Sequence, residues 1–257
     1  MNLIEPIERF GEDILEAVAA LGNFILFLAQ AFRLIFAPPY KPRLAIRQVR
    51  TIGAESLLLV TLIATFTGMV LGLQGYNTLR RFGSEGALGT VVALVLVREL
   101  GPVLAALMIA ARAGSAMAAE LGAMQATEQV DALTVMAINP IQYLVSPRML
   151  AGIITFPLLT SIFDVVGIWG GYFIGVGLMG APGSSYMNGI AANLESHDIA
   201  TGLYKALVFG VTVTWVCCYK GYYARRMATG VSEATTAAVV LSSILVLAFD
   251  FCITAIS

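Results

Sequence analysis

The sequence predicts an all-α integral membrane protein with five membrane-spanning helices. Two facts of composition favour this fold class: 58% of the 257 residues are hydrophobic, and only 12% are charged. Soluble domains carry about 25% charged residues, so this chain is too poor in charge for an ordinary water-exposed surface. The third observation is a series of apolar runs that reach the ~20 residues a helix needs to cross a bilayer.

These runs divide the chain into an N-terminal segment, residues 1–50, and a membrane domain, residues 51–257. The predicted spans lie at about residues 55–79, 87–122, 147–179, 199–219 and 233–256. Ser146 and Pro147 suit the N-cap and first helical position of the third span. The glycines of its GIWGGYFIGVG stretch favour close contact with other helices.

Basic residues in the loops predict the orientation of the spans. One cluster precedes the first span and a second separates the fourth from the fifth: Lys41, Arg43, Arg47 and Arg50, then Lys220, Arg225 and Arg226. The positive-inside rule places both clusters in the cytoplasm. The loop at 127–148 is then also cytoplasmic, and the segment at 180–198 faces outward.

Residues 17–36 allow two interpretations. They are apolar enough to form a sixth span, or they form an amphipathic helix in the membrane interface. Both interpretations leave the first basic cluster inside, so the charge rule does not choose between them.

Residues that could catalyse a reaction or hold a metal are scarce. Cys217, Cys218 and Cys252 lie in apolar stretches without CxxC spacing, and His197 is the only histidine. The chain contains no GxxxxGK[ST] motif, so it cannot hydrolyse ATP through a P-loop. We therefore expect no catalytic residue, metal site or cofactor on this chain.

Four charged residues fall within the apolar spans at similar predicted depth: Arg98, Glu99, Lys205 and Asp250. Charges at membrane depth are costly unless they are paired, hydrated or functional. Two of each sign in the outer part of the membrane predict a paired cluster. The cluster either fixes the register of the helices or forms the polar rim of a cavity that accepts an amphipathic molecule, and the two roles are compatible.

Two further charged residues lie in spans. Arg112 is near the cytoplasmic end of the second span, where it could extend to the headgroups, and the small residues around it favour a tight helix interface. Asp164 is in the middle of the third span and needs a partner that the sequence does not name.

The stretch ATEQVDAL predicts a short cytoplasmic helix at about residues 127–137. Thr127 is its expected N-cap, and Glu128 and Asp131 place negative charge in its first turn. The helix is either a solvated amphipathic turn or a docking element for a cytoplasmic partner.

Several long motifs together resemble a known family. They are LGLQGY (71–76), RELGPVLAALMIAARAGSAMAAELGAM (98–124), TEQVDAL (127–133), INPIQYLVSPR (138–148) and FDFCITAI (249–256). In this order they resemble the MlaE/YrbE family, the permease subunits of bacterial MCE-type lipid ABC transporters. The resemblance extends from about Gly53 to the C-terminus.

The resemblance implies an inner-membrane, multi-pass homodimer with an N-terminal interfacial helix. It also implies a cytoplasmic ATPase like MlaF that holds ATP and Mg²⁺, a STAS-domain protein like MlaB, and a periplasmic MCE hexamer like MlaD. The expected function is ATP-driven transport of phospholipid between the inner membrane and the MCE protein, which maintains the lipid asymmetry of the outer membrane in Gram-negative cells. No nucleic acid is expected as a partner.

The resemblance also carries roles onto matching residues. The lipid neighbours are Leu71, Gln74, Thr78, Arg98, Glu99 and Leu100, and the ATPase-coupling residues are Glu128, Gln129 and Asp131. Lys205 and Asp250 match charged positions of the family core.

Two other functions stay open as alternatives. An ion-coupled secondary transporter would use the four membrane-depth charges as a relay. An intramembrane enzyme would use Asp164 and Asp250, but no GxGD, HExxH or GxSxG motif accompanies them.

Overall fold

A computed structural model describes residues 5–37 and 42–256, and this part of the chain is folded into helices joined by short connections. The helices are α1 (Glu5–Ile35), α2 (Pro42–Arg81), α3 (Glu85–Ala126), α4 (Gln129–Val135), α5 (Ile141–Leu178), α6 (Gly183–Asn193), α7 (Ser196–Tyr222) and α8 (Ala228–Ile256). The described residues contain no β-strand.

Five of these helices, α2, α3, α5, α7 and α8, are long and apolar enough to cross a membrane, which confirms the predicted fold class and number of spans. Each is longer than the corresponding predicted span. The core between α3, α5 and α7 includes the fully buried side chains of Ile109, Phe156 and Phe209.

The start of α5 differs from the prediction. Ser146 does not cap the helix, which begins at Ile141, where the Asn139 side chain accepts a hydrogen bond from the Ile141 backbone N–H at 3.0 Å. Ser146 lies inside α5, and its hydroxyl donates to the Ala31 carbonyl at 3.3 Å. The Ser-Pro pair resembles a helix start, but the helix passes through it.

Glycines bring α2 and α5 into close contact, as the glycine-rich stretch of the third span predicted. A Cβ atom on Gly68 would overlap the Gly167 carbonyl, and one on Gly72 would lie 2.7 Å from the Gly171 carbonyl oxygen. Backbones that pack this closely leave no room for larger residues.

Helix α1 packs on the ends of α5 and α7. The Phe24 ring stacks on Trp215 with ring centroids 3.9 Å apart, and the Trp215 indole N–H donates to the Phe24 carbonyl at 3.1 Å. Within α1, Leu21–Ile35 is an apolar stretch. The interfacial and the membrane-spanning interpretations of residues 17–36 both stay predictions. Residues 1–4 and 38–41 of the N-terminal segment lie outside the described residues.

The two ends of the bundle differ in charge. We call the end where α2 begins and α3 ends the basic end, because the exposed residues Arg43, Arg47 and Arg50 lie there. The membrane-depth charges of α3 lie towards the opposite end.

The long helices are interrupted by π-helical turns, in α2 at Arg50–Ala54 and in α3 at Leu96–Leu100 and Ala110–Gly114. Such turns are frequent at functional sites.

Candidate functional site

The Lys205 side chain, 1% exposed, is the centre of a buried ion-pair cluster between α3, α7 and α8. Its ammonium nitrogen lies 2.8 Å from Glu99 Oε2 and 3.0 Å from Asp250 Oδ1. It also lies 2.7 Å from Thr254 Oγ1 and 3.0 Å from the Arg98 backbone carbonyl oxygen. An ammonium group has three N–H donors, and they are saturated by Glu99 Oε2, Thr254 Oγ1 and the Arg98 carbonyl oxygen. Asp250 Oδ1 forms an ion pair with the ammonium group but accepts no hydrogen bond among the described residues.

Proline chemistry explains why a backbone carbonyl is available to Lys205. Pro102 has no N–H to donate to the Arg98 carbonyl four residues earlier, as an ordinary helical residue would. The π-helical turn Leu96–Leu100 lies directly before this point and holds both Arg98 and Glu99. The sequence Arg-Glu-Leu-Gly-Pro therefore builds both the acidic and the backbone acceptors of Lys205.

A glycine on α7 allows the approach of Lys205 to α3. Gly202 lies one turn before Lys205, and a Cβ atom there would overlap the Val97 carbonyl oxygen. The two helices can touch at this point only because the side chain is absent.

Arg98 itself points to another acid. Its Nε lies 2.8 Å from Oδ1 of Asp198, which is 7% exposed, whereas the Arg98 side chain is 48% exposed. The second oxygen of Asp198 accepts a hydrogen bond from the Glu195 backbone N–H at 3.0 Å, in a capping box at the start of α7. Asp198 thus fixes the start of α7 and orients Arg98.

A cavity of about 460 Å³ opens beside the cluster. It is lined by Leu94, Val95, Arg98, Glu99, Thr201, Lys205 and Thr254. Since Lys205 is saturated by its neighbours, Arg98 is the cation that the cavity presents to a bound molecule. A half-exposed guanidinium beside apolar side chains suits a ligand with an anionic group and a hydrocarbon part.

The structure brings the four predicted charges together, and it adds residues that the sequence analysis missed: Asp198, Thr201 and Thr254. Asp198 could have been found, because it stands at the outer end of the fourth predicted span, level with Arg98. Thr254 has no such signal, since hydroxyl residues are common in spans.

The other predicted lipid neighbours lie apart from the lining of this cavity. Leu71 and Leu100 are partly buried against the core. Gln74 and Thr78 are exposed on α2, where the Thr78 hydroxyl donates to the Gln74 carbonyl at 2.9 Å. Their contact with lipid stays a prediction.

The predicted coupling helix corresponds to α4, at the basic end. Thr127 is not its cap: α4 follows Glu128, whose φ of 58° is left-handed, and the Thr127 hydroxyl donates to the Ala123 carbonyl at 2.8 Å. Glu128 and Gln129 are exposed. Asp131 pairs with Arg226 of the α7–α8 connection at 2.8 Å, so one of the three predicted ATPase-coupling residues has a partner within the chain.

Two ion pairs brace the basic end around α4. Arg148 of α5, 3% exposed, lies 2.7 Å from Glu120 of α3. Arg112 Nη2 lies 2.8 Å from Glu55 Oε2, and its Nη1 donates to the Thr51 carbonyl at 3.3 Å. That carbonyl belongs to the π-helical turn of α2, so Arg112 joins α3 to the beginning of α2.

Asp164 packs against Gly101, where a Cβ atom would overlap the carboxylate. Its buried Oδ1 has no hydrogen-bond partner within the described part of the chain. Asp250 Oδ1 likewise accepts no hydrogen bond among the described residues, but it forms an ion pair with Lys205 at 3.0 Å.

The fold and the cavity define a class, the multi-pass helical membrane proteins with an ion-paired polar site among apolar helices. Comparison with known proteins gives the family. The family model for permease MlaE matches residues 45–256, so the chain belongs to the MlaE permease family. It is thereby a multi-pass protein of the inner membrane.

Individual relatives agree with this assignment. The chain is 42% identical over 259 residues to the intermembrane phospholipid transport system permease protein MlaE of Haemophilus influenzae, covering 99% of this chain and 98% of that protein. It is 45% identical over 252 residues to a probable ABC transporter permease protein of Rickettsia felis, covering 98% and 97%. It is 35% identical over 209 residues to the chloroplastic protein TRIGALACTOSYLDIACYLGLYCEROL 1 of Arabidopsis thaliana, covering 81% and 60%.

Proposed function

We propose that this chain is the non-catalytic permease subunit of an ATP-driven transporter. The transporter moves phospholipid between the inner membrane and a periplasmic MCE protein, and so maintains outer-membrane lipid asymmetry. The observation that carries the proposal is the half-exposed Arg98 guanidinium, which Asp198 orients beside an otherwise largely apolar cavity wall. The phospholipid transport named for the Haemophilus relative supports the same substrate class.

In this mechanism Arg98 binds the lipid phosphate and Lys205 has a positioning role. Lys205 holds Glu99 and Asp250, so that neither carboxylate is free to repel the phosphate. Acyl chains lie against Leu94 and Val95, with about 0.8 kcal/mol gained for each CH₂ group removed from water. Leu71, Gln74, Thr78 and Leu100 contribute further lipid contacts.

The proposed assembly contains two copies of the chain, with the basic end in the cytoplasm. A MlaF-like ATPase, carrying ATP and Mg²⁺ and joined by a MlaB-like STAS protein, docks on α4 through Glu128, Gln129 and Asp131. A MlaD-like MCE hexamer receives lipid at the opposite end. Helix α3 connects the two ends, since it holds Glu120 near α4 and Arg98 at the cavity.

The test of the site is lipid loading. The complex is purified with Arg98→Ala or Glu99→Ala, and co-purified phospholipid is measured by mass spectrometry together with transfer in a reconstituted assay. We expect Arg98→Ala to lose most bound lipid and transfer, because the cation for the phosphate is removed. Glu99→Ala should reduce both, because Lys205 and Thr254 lose the carboxylate that positions them in the cavity wall. The control Arg80→Ala removes an exposed arginine outside the cavity and should leave both unchanged. Full loading and transfer by both site variants would refute the proposed role of the cavity.

A further inference from the structure

A second groove lies on the lateral surface between α2 and α5, near the basic end. It encloses about 360 Å³, and its walls are almost entirely apolar, with Ile46 and Leu57 on α2 and Leu158 and Ile162 on α5. Arg50 lines one end. The residues of the charge cluster take no part in it.

A glycine in the wall of the groove allows α2 and α5 to approach each other closely. Gly53 stands where α2 meets α5, with Thr155 Cγ2 only 3.1 Å from the position of a Cβ atom. The rims are formed by exposed side chains, since Ile46 is 68% and Leu158 is 58% exposed. The Thr155 hydroxyl donates to the Ala151 carbonyl at 2.8 Å, so Arg50 supplies the polar group available to a ligand.

The geometry of the groove suits a lipid chain beneath a headgroup. Arg50 precedes Leu57 by about 10 Å along the helix axis, at 1.5 Å per residue. Leu57 begins the apolar run of the first span. Arg50 therefore lies at headgroup level on α2, and the groove extends from it into the hydrocarbon region.

The sequence around Arg50 is strongly basic. Residues 17–54 contain no Asp or Glu but include Arg33, Lys41, Arg43, Arg47 and Arg50. The first acid after this stretch, Glu55, is bonded to Arg112. Among the described residues no carboxylate forms an ion pair with Arg50. Basic pockets beside membrane helices attract anionic headgroups.

We propose that this groove is a binding site for an anionic phospholipid of the leaflet at the basic end, with one acyl chain in the groove and the headgroup phosphate on Arg50. The inference does not depend on the proposed function. An apolar groove with a cationic side chain at one end complements a lipid, which joins an acyl chain to an anionic headgroup, and this makes a phospholipid the better occupant than an apolar helix of another protein.

The test is lipid titration of the purified full chain, followed by native mass spectrometry. Phosphatidylglycerol and phosphatidylcholine with identical acyl chains are compared. We expect phosphatidylglycerol to bind about fivefold more tightly, the contribution of one basic side chain at an anionic headgroup. Arg50→Gln should abolish this preference. Arg43→Gln makes the same change at an exposed arginine outside the groove and should preserve it.

A second pair of variants tests the apolar part. Leu158→Trp fills the groove from an exposed position and should weaken the binding of both lipids, whereas Leu58→Trp, at a position 78% exposed outside the groove, should not. Equal affinity of the wild type for both lipids would overturn the proposal, as would equal effects of the two arginine variants. Release of a co-purified protein or of a second copy by Leu158→Trp, with lipid binding unchanged, would assign the groove to that partner instead.

Discussion

Replacement of Lys205 by methionine should destabilise the protein, because Lys205 is the cation that pairs with both Glu99 and Asp250 in the described part of the chain. Breaking a buried ion pair costs about 3–5 kcal/mol. Most of the lost free energy comes from Asp250, whose unpaired carboxylate is only 20% exposed. Glu99 contributes less, because its side chain is 42% exposed and water screens its charge. We therefore expect about 3 kcal/mol, the lower end of that range.

Thermal unfolding in detergent measures the effect. For a chain of this size about 3 kcal/mol corresponds to a fall in Tm of roughly 6–12 °C. The double variant Lys205→Met/Asp250→Leu removes the orphaned charge as well and should recover most of the loss. The control Arg80→Gln breaks an exposed 3.9 Å contact with Glu85 and should lower Tm by less than about 2 °C. If Lys205→Met matched this control, or if the double variant recovered nothing, the cluster would not be the stabilising element that its geometry indicates.

Three further predictions concern other contacts. Gly101→Ala should lower the free energy of unfolding by about 1–3 kcal/mol, because the added methyl group would overlap the Asp164 carboxylate. The second change Asp164→Ala should recover part of this loss. If thermal unfolding shows no recovery, the contact between the two residues is contradicted. Asp131→Arg should reduce lipid transfer with little change in stability, because the exposed ion pair with Arg226 contributes little free energy. If this pair positions α4, the exchange Asp131→Arg/Arg226→Asp should restore transfer. Failure of the exchange would assign Asp131 to contact with the ATPase alone. Gly202→Val should force α7 away from α3 and lower Tm, and an unchanged Tm would show that the close crossing is not required.

The spans and the membrane-depth charges were predictable because both depend on simple physical rules. Apolar runs of sufficient length predict helices in a bilayer, and charges in such runs must be paired. The depth of Lys205 and of Asp250 along their helices was enough to place them near Glu99. The glycines at 167 and 171 likewise predicted a tight helix contact, and the structure shows that the partner is α2.

The details that were missed depend on tertiary contacts. The π-helical turn at Leu96–Leu100 leaves no periodic signal, since it changes only the local hydrogen bonding. Arg112 pairs with Glu55, which lies 57 residues away in the sequence and which the sequence analysis did not name as its partner. Ser146 and Thr127 have the chemistry of N-caps, but the helices begin elsewhere because Asn139 and Glu128 set the backbone at those points.

In the proposed function, ATP hydrolysis on a partner drives phospholipid movement through this chain. The most direct measurement is the transfer of a labelled phospholipid from proteoliposomes that contain the purified complex, with MgATP and an imposed proton or sodium gradient supplied separately. The account predicts transfer with MgATP alone and its loss when Arg98 is replaced by alanine. Transfer that follows the gradient and ignores MgATP would contradict the account and identify the charge cluster as an ion relay.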